Sequence, residues 1–292
     1  MIMNYITKIK ANISIYASKK TSNILDGTYK SIYKGKSMNF EDLRTYVIGD
    51  NVKDIDWKAS ARSGGNLLIR QYIAEKKHNI MLVFDTGKKM LADTRFNEPK
   101  KDIAIMSAGI ISYIADKNGD YVGAAYDKDD EVNYYNFKSG LYNIERILGT
   151  YEKEVENTNI SNIDNVLNHI CNHIKKRMII FVFTDLSGIK NIKETTLKKV
   201  STLHDILLIN INDAYMTGDK AYDVESSKYI PKLLFKDAKL HELEVKAKEE
   251  LTKECTEKLE KYGIQSVTID NNKECGNKII NLLERHRYAN IS

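Results

Sequence analysis

The sequence predicts an α/β protein: an open, mostly parallel sheet flanked by helices, with a β-rich segment before it. Three observations predict this. Apolar runs of strand length recur at residues 80–85, 178–184 and 206–211, with helical patterns between them. The runs are continuous rather than alternating, as strands covered on both faces require. Two of them end in an aspartate, Asp85 and Asp185. Open α/β sheets bind ligands at that place, beyond the carboxyl ends of their strands.

In chain order, residues 80–85 are the first strand of the sheet. Residues 99–117 carry Ile103, Met106, Ile110 and Ile114 at helical spacing, and Asn118-Gly119 ends that helix. Residues 121–126 are a second strand, DKDD is a turn, and residues 132–137 are the hairpin partner. Residues 141–149 form a short helix. Residues 162–175 form another, with Ile163, Val166, Leu167, Ile170 and Ile174 on one face. After the strand at 178–184, a helix near 190–202 leads to the buried strand at 206–211. Residues 240–262 are one long charged helix, 264–269 a last strand and 275–288 a last helix. Such βα alternation gives a mostly parallel sheet with helices on both faces.

Residues 1–79 differ. Residues 2–25 form a basic amphipathic helix with Ile2, Ile6, Ile9, Ile13 and Tyr16 on one side. It is expected to dock on the main body; its other use would be at a membrane surface or on a partner. Residues 27–75 are rich in Tyr, Gly and β-branched residues, which suits short strands and turns. The expected divisions are therefore 1–26, 27–79 and 80–292.

Composition narrows the function classes. A chain of 292 residues can bury a large core. A net charge of +5 is too weakly basic to indicate a nucleic-acid partner. No apolar run approaches the roughly 18 residues of a membrane span, and the N-terminus lacks the features of a signal peptide. Cys171, Cys255 and Cys275 are odd in number and far apart, which suits a reduced, cytoplasmic setting. Few prolines, with many Lys, Asn and Ile, suggest an AT-rich bacterial genome.

The segment from Gly27 to Met90 carries a recognisable series. It contains Gly27 and Ser31, Gly35 and Phe40, Arg44 and Tyr46, and Gly49-Asp50. Ile55-Asp56-Trp57, Ala61-Arg62, Arg70-Gln71-Tyr72 and residues 85–90 follow. These resemble, in order, the motifs of the bacterial domain of unknown function 58 family. The run VIGDNVKDIDW is the most specific part, and the later elements follow the family's order to the end of the chain. One departure is Lys53, where the family usually has Arg, which removes the planar fork of a bidentate carboxylate contact. The resemblance implies a von Willebrand factor A-like domain behind a β-rich segment. It also implies a binding or adaptor role beside a MoxR-type AAA+ ATPase, and a metal-ion-dependent adhesion site whose oxygens hold Mg²⁺.

That adhesion site needs Asp-x-Ser-x-Ser after the first strand, a Thr on a later loop and an Asp after the fourth strand. Asp85 fills the first position, but Gly87 and Lys89 stand where the serines belong. Ser161 in SNIDNVL takes the threonine position, with Thr158 as the other register, and Asp185 in TDLSG takes the last. Glycine offers no side-chain oxygen and lysine no acceptor, while Mg²⁺ demands near-octahedral oxygen. No metal cofactor is therefore expected; if Mg²⁺ did bind, its ligands would be Asp85, Ser161 and Asp185. In one arrangement the Lys89 ammonium lies between the two aspartates and replaces the metal's charge, which two clustered carboxylates need. In the plainer one, Lys89 points into solvent and the site is inert.

Other candidate chemistry has simpler explanations. KGKS at 34–37 resembles the end of a phosphate-binding loop, but Lys30 stands where that loop needs glycine. His169 and His173 flank Cys171 on one helix without further ligands nearby, so a solvated helix flank is the better reading than zinc. Asp127, Asp129, Asp130 and Glu131 lack the sixth-position glycine of a calcium loop, since Val132 stands there. Among Asp50, Asp54 and Asp56, Gly49-Asp50 suits a turn, and Asp56 is expected to hold a loop near Trp57. Residues 241–261 alternate Glu and Lys, which suits a solvated helix face, with a partner-binding helix as the alternative. No Ser-His-Asp or Cys-His arrangement announces itself by motif.

The expected function is thus non-enzymatic: protein binding or adaptor work with a MoxR-type ATPase, through Asp85, Gly87, Lys89, Ser161 and Asp185. Gly49, Asp50, Asp56, Trp57 and Arg62 form a structural motif. The alternatives are a metal-dependent hydrolase using the acidic cluster at the sheet edge, and a membrane-peripheral scaffold using residues 2–25.

Overall fold

A computed structural model describes residues 5–16, 42–50, 52–71, 77–217, 221–223, 228–230 and 238–289. The chain divides into two compact units: residues 1–28 with 78–292, and residues 29–77. Helix α1 (Tyr5–Tyr16) belongs to the larger unit. Gly27, Ser31, Gly35, Phe40, Tyr72 and the 34–37 segment lie outside the described residues, as do residues 2–4 and 17–25 of the expected N-terminal helix.

In the smaller unit, β1 (Asp42–Thr45) pairs antiparallel with β2 (Leu68–Gln71). The Arg44 guanidinium forks onto Asp50 at 2.8 and 2.7 Å, and Asp50 also accepts from the Val47 amide at 2.9 Å. This closes the expected turn, in which Gly49 takes φ +111°, a left-handed value that favours glycine. The expected loop near Trp57 is instead a helix, α2 (Trp57–Arg62). Asp56 is its N-cap: the Lys58 and Ala59 amides each donate to its Oδ1 at 3.0 Å. Six helical residues are too few to show a period in sequence, so only the cap could have announced them. Trp57 and Arg62 are exposed.

In the larger unit, β3 (Asn79–Phe84) leads to α3 (Lys100–Lys117), then to the hairpin of β4 (Tyr121–Lys128) and β5 (Glu131–Lys138). Helices α4 (Leu141–Asn157) and α5 (Ile163–His173) precede β6 (Ile179–Thr184). Then come α6 (Leu186–Asn191), α7 (Glu194–Leu203) and β7 (Asp205–Ile211). A small antiparallel pair, β8 (Ala221–Asp223) and β9 (Lys228–Ile230), is followed by α8 (Ala238–Glu260), β10 (Gln265–Ile269) and α9 (Cys275–Ala289).

The main sheet runs β5-β4-β3-β6-β7-β10, parallel throughout except for β5 at its edge. Counted in chain order, its strands stand 3-2-1-4-5-6, the doubly wound order whose direction of winding reverses between β3 and β6. Both strands are wholly buried, as their continuous apolar runs require. Phe84 stacks on Tyr151 of α4 at 4.3 Å and on Phe183 of β6 at 5.1 Å.

Two helices differ from expectation. α4 continues to Asn157, because Tyr151 and Val155 extend the buried face of Ile144, Ile147 and Leu148. The helix expected near 190–202 is two helices, α6 and α7. Buried Ile192 is extended between them, and the Lys193 amide donates to Asp164 at 2.9 Å, so a tertiary contact breaks the helix. The DKDD turn has φ +49° at Asp129 and +71° at Asp130, and Asp127 accepts from the Asp130 amide at 3.0 Å.

Helix α1 buries Tyr5, Ile6 and Ile9 against α3 and α4, and the Tyr5 and Ile6 amides donate to Glu145 at 3.0 and 2.7 Å. Gly109 of α3 admits this approach, since a Cβ there would stand 2.2 Å from Ile9 Cδ1. These apolar side chains are occupied by the body. Among the described residues, no helix is long and apolar enough to cross a membrane.

His204, just before β7, and His286 of α9 are both buried, and burial pushes both imidazoles below their usual pKa; Arg177 adds to this at His204. In the unfolded chain a histidine titrates near pH ~6.5. The unfolded state therefore binds more protons on acidification, so the stabilising contribution of neutral histidine is full above that pH and is lost as pH falls through the folded values. The urea midpoint should fall from pH 7.5 to about 5.5, and His204→Phe should flatten that fall. A midpoint independent of pH across this window would contradict the assignment.

Candidate functional site

Asp85 follows β3 and Asp185 follows β6, so the reversal point of the sheet brings the two aspartates together. The Asp85 amide still donates to the Phe183 carbonyl at 3.0 Å, continuing the strand pairing. The Asp85 carboxylate accepts from the Thr184 hydroxyl at 2.5 Å and the Gly87 amide at 3.1 Å. Asp185 caps α6, accepting from the Gly188 amide at 2.8 Å.

Lys89 lies between them. Its Nζ is 2.8 Å from Asp85 Oδ2 and 2.9 Å from Asp185 Oδ1. A second lysine, Lys100 at the start of α3, stands 2.8 Å from Asp185 Oδ2 and also pairs with Asp213, which lies beyond β7. Lys248 of α8 donates to the Asp213 carbonyl. The charges thus alternate along the sheet edge: Asp85, Lys89, Asp185, Lys100, Asp213, Lys248. Asp85, Asp185 and Lys100 are almost wholly buried, whereas the Lys89 side chain is 25% exposed.

The electrostatics follow. Burial works against charge on Lys89 and Lys100, but Asp85 and Asp185 around the first, and Asp213 and Asp185 around the second, outweigh it and hold both ammoniums above their usual range. Burial likewise opposes ionisation of Asp185, yet Lys100 and Lys89 hold it well below the usual carboxylate range. Lys89 and Lys100 together bring two positive charges to Asp85, Asp185 and Asp213.

Gly87 opens the short turn that carries Lys89 inward, with φ −62° and ψ 151°, values any residue adopts. A Cβ there would meet Asp85 Oδ1 at 3.3 Å and the Ser161 amide at 3.5 Å, so a small side chain fits with slight movement. Ser161 lies against this turn and accepts from the Thr86 amide at 3.2 Å. Thr158 is buried after the end of α4, without a hydrogen-bond partner for its hydroxyl among the described residues; Ser161 is the residue at the site.

Lys100, Thr184, Gly188, Asp213 and Lys248 were not singled out from sequence. A Cβ on Gly188 would stand 1.9 Å from Thr184 Oγ1, 3.0 Å from Lys89 Nζ and 3.1 Å from Asp85 Oδ2, so only glycine closes the cluster. Glycine three residues after a strand-ending aspartate was a weak signal for this; Lys100, inside a run of charged residues, had none.

The donor set does not fit Mg²⁺. The space between the two carboxylates holds the Lys89 ammonium, and the Ser161 hydroxyl is the one remaining oxygen of the expected set. Among the described residues, no group of three or more His, Cys, Asp or Glu could hold a metal ion. His169 and His173 stack at 4.0 Å, with His173 Nδ1 against the His169 carbonyl, and Cys171 is buried. Mg²⁺ at millimolar concentration should leave the melting temperature of the parent unchanged. The double variant Gly87→Ser, Lys89→Ser should instead gain a Mg²⁺-dependent rise, about 2.7 kcal/mol at a hundredfold excess over Kd. A parent shift that Asp85→Ala abolishes would overturn this.

Two cavities meet at Lys89. One, of 460 Å³, is lined by Lys89, Ala92, Leu186, Tyr215, Met216 and Leu251, among others. The second, of 350 Å³, lies toward Ser161, Gly188 and Lys193. On the wall of the first, Glu244 accepts from the Thr217 amide at 2.9 Å and from the Thr217 hydroxyl, which also contacts His241. Burial opposes charge on Glu244, yet the Thr217 and Met216 donors hold its pKa below the usual range, which makes it a clasp rather than a base.

The family model described as "Protein of unknown function DUF58" matches residues 42–217. The chain belongs to this family. Among curated relatives, an uncharacterised protein of Mycobacterium tuberculosis, Rv1480, is 27% identical over 112 residues. The match covers 38% of this chain and spans about a third, 35%, of the relative. Solved structures show weaker likeness. A von Willebrand factor type A protein from Catenulispora acidiphila is 8% identical with a TM-score of 0.35, over 73% of this chain and 43% of that one. An aerotolerance-related membrane protein from Bacteroides fragilis is 13% identical with a TM-score of 0.44, over 71% and 99%. In this DUF58 member, the strand order with its single antiparallel edge makes the fold von Willebrand factor A-like.

Proposed function

We propose that this DUF58 protein is a non-catalytic binding module of the cytoplasm, an adaptor for a MoxR-type AAA+ ATPase, whose recognition surface is the C-terminal edge of the sheet around Lys89. The observation that carries this is the neutralised cluster. Asp85 and Asp185 are both held by lysines, so neither is free to act as a base or to bind a hydrolytic metal. What remains at the edge is a pre-formed groove beside a fixed cation, which suits recognition.

The test is capture of a MoxR-type AAA+ ATPase by this protein, with EDTA present throughout. The complex should form without metal and weaken in Lys89→Met. Hydrolytic turnover that disappears in Asp185→Ala, with no ATPase captured, would favour the metal-dependent hydrolase.

A further inference from the structure

The face of β7 that packs under α8 changes character along its length. Alternate residues of a strand share a face, and on this one Ile206 and Leu208 are buried in the core with Cys255 and Leu259 of α8. The third residue of that row is Asn210, 3% exposed. Its register partner on β10 is Thr268, whose hydroxyl accepts from the Asn210 side-chain amide at 3.1 Å. The Asn210 carbonyl oxygen is buried without a hydrogen-bond partner among the described residues. Leaving a buried polar atom unpaired is costly, so the atom calls for a partner. Two residues on, Asn212 donates its side-chain amide to Asp270 at 2.8 Å, and its carbonyl oxygen accepts from none of the described residues. Where apolar side chains would otherwise fill the space under a helix, Asn210, Asn212 and Thr268 line a third cavity, of 440 Å³. That volume suits a small molecule, whose sites run from roughly 300 to 1,000 Å³. The charged groups of the lining all stand on α8: Lys248, Glu249 and Lys253. Glu249 and Lys253 are exposed, and Lys248 donates to the Asp213 carbonyl. Tyr215 and Lys248 also border the 460 Å³ cavity, but Lys89 and Asp185 are not part of this lining.

We propose that this cavity binds a small, uncharged, hydroxyl-rich molecule of the monosaccharide or polyol class, held by Asn210, Asn212 and Thr268. Hydrogen-bonding capacity selects that class. The sheet wall offers two amide oxygens as acceptors, and the Thr268 hydroxyl, which accepts from Asn210, keeps its own proton to give. A hydroxyl both donates and accepts, so several hydroxyls on one molecule can meet all three groups. They would also meet an amide turned to present its nitrogen. Asn210 and Asn212 stand two residues apart, about 6.6 Å along the strand, so the hydroxyls must be spread over the ligand. An anion would face the amide oxygens, and a cation would face Lys248 and Lys253. An apolar ligand would leave the Asn210 oxygen unpaired.

The test titrates the full chain, labelled with nitrogen-15, and follows the side-chain amide signals of Asn210 and Asn212. The probes are D-glucose, D-ribose and myo-inositol, with D-glucuronate and D-glucosamine as the anionic and cationic counterparts. At least one neutral probe should shift both amides saturably and bind more tightly than either charged sugar. Asn210→Leu completes the apolar row begun by Ile206 and Leu208. It should abolish the binding and melt no lower than the parent. Thr268→Val keeps the side chain's shape without the hydroxyl and should weaken binding about fivefold; it decides the matter if Asn210→Leu does not fold. The proposal is overturned if no neutral probe saturates, if a charged sugar binds more tightly, or if binding survives Asn210→Leu or is unchanged in Thr268→Val.

Discussion

Replacing Lys100 by Ala should lower stability by about 3–5 kcal/mol, the usual effect of stripping one partner from a buried ion pair. Lys100 is 1% exposed and Asp185 2%, so water cannot take over the ammonium's role. Asp185 would keep Lys89, but Asp213 would lose its paired cation. The pH dependence identifies the cause. Asp185 is depressed in the folded state, so its contribution is present above the unfolded carboxylate pKa of about 3.9 and is lost as pH falls toward the folded value. Lys100 is raised, so its contribution is present below about pH 10.4 and is lost as pH rises beyond that. The difference between parent and Lys100→Ala in urea should therefore be largest between those limits and shrink outside them. A difference below about 1 kcal/mol at neutral pH would show that the pair is not buried in solution.

Gly188→Ala should cost about 1–3 kcal/mol by overpacking. The new methyl would stand 1.9 Å from Thr184 Oγ1, which is fixed by its bond to Asp85. Either Thr184 rotates and releases Asp85, or α6 shifts and moves the Asp185 cap. Thr184→Ala removes the obstructing oxygen, so the methyl should cost less in that background. Thermal melts of the parent, both single variants and the double would measure this coupling. Strict additivity would mean that Gly188 matters for backbone freedom alone.

The strand-ending aspartates were legible because a buried run followed by a carboxylate is a local pattern that survives without a partner. The hairpin at β4 and β5 was legible for the same reason, through its DKDD turn. The sheet order placed both aspartates at one edge, and the inward turn of residues 88–91 brought Lys89 against both rather than into solvent. The break between α6 and α7 was illegible, because it follows from the Lys193 amide meeting Asp164, a residue of another helix.

By itself, then, the sequence determined the strands and longer helices of the main sheet, the family and the loss of two oxygens at Gly87 and Lys89. Each of these depends on neighbours in the chain, through periodicity, motif spacing or side-chain chemistry. The tertiary structure alone decided that Lys100 adds a second ammonium on Asp185 and that Gly188 must lack a side chain. These depend on distances between residues far apart in sequence: 85 positions separate Lys100 from Asp185, and only the folded sheet edge closes that span to 2.8 Å.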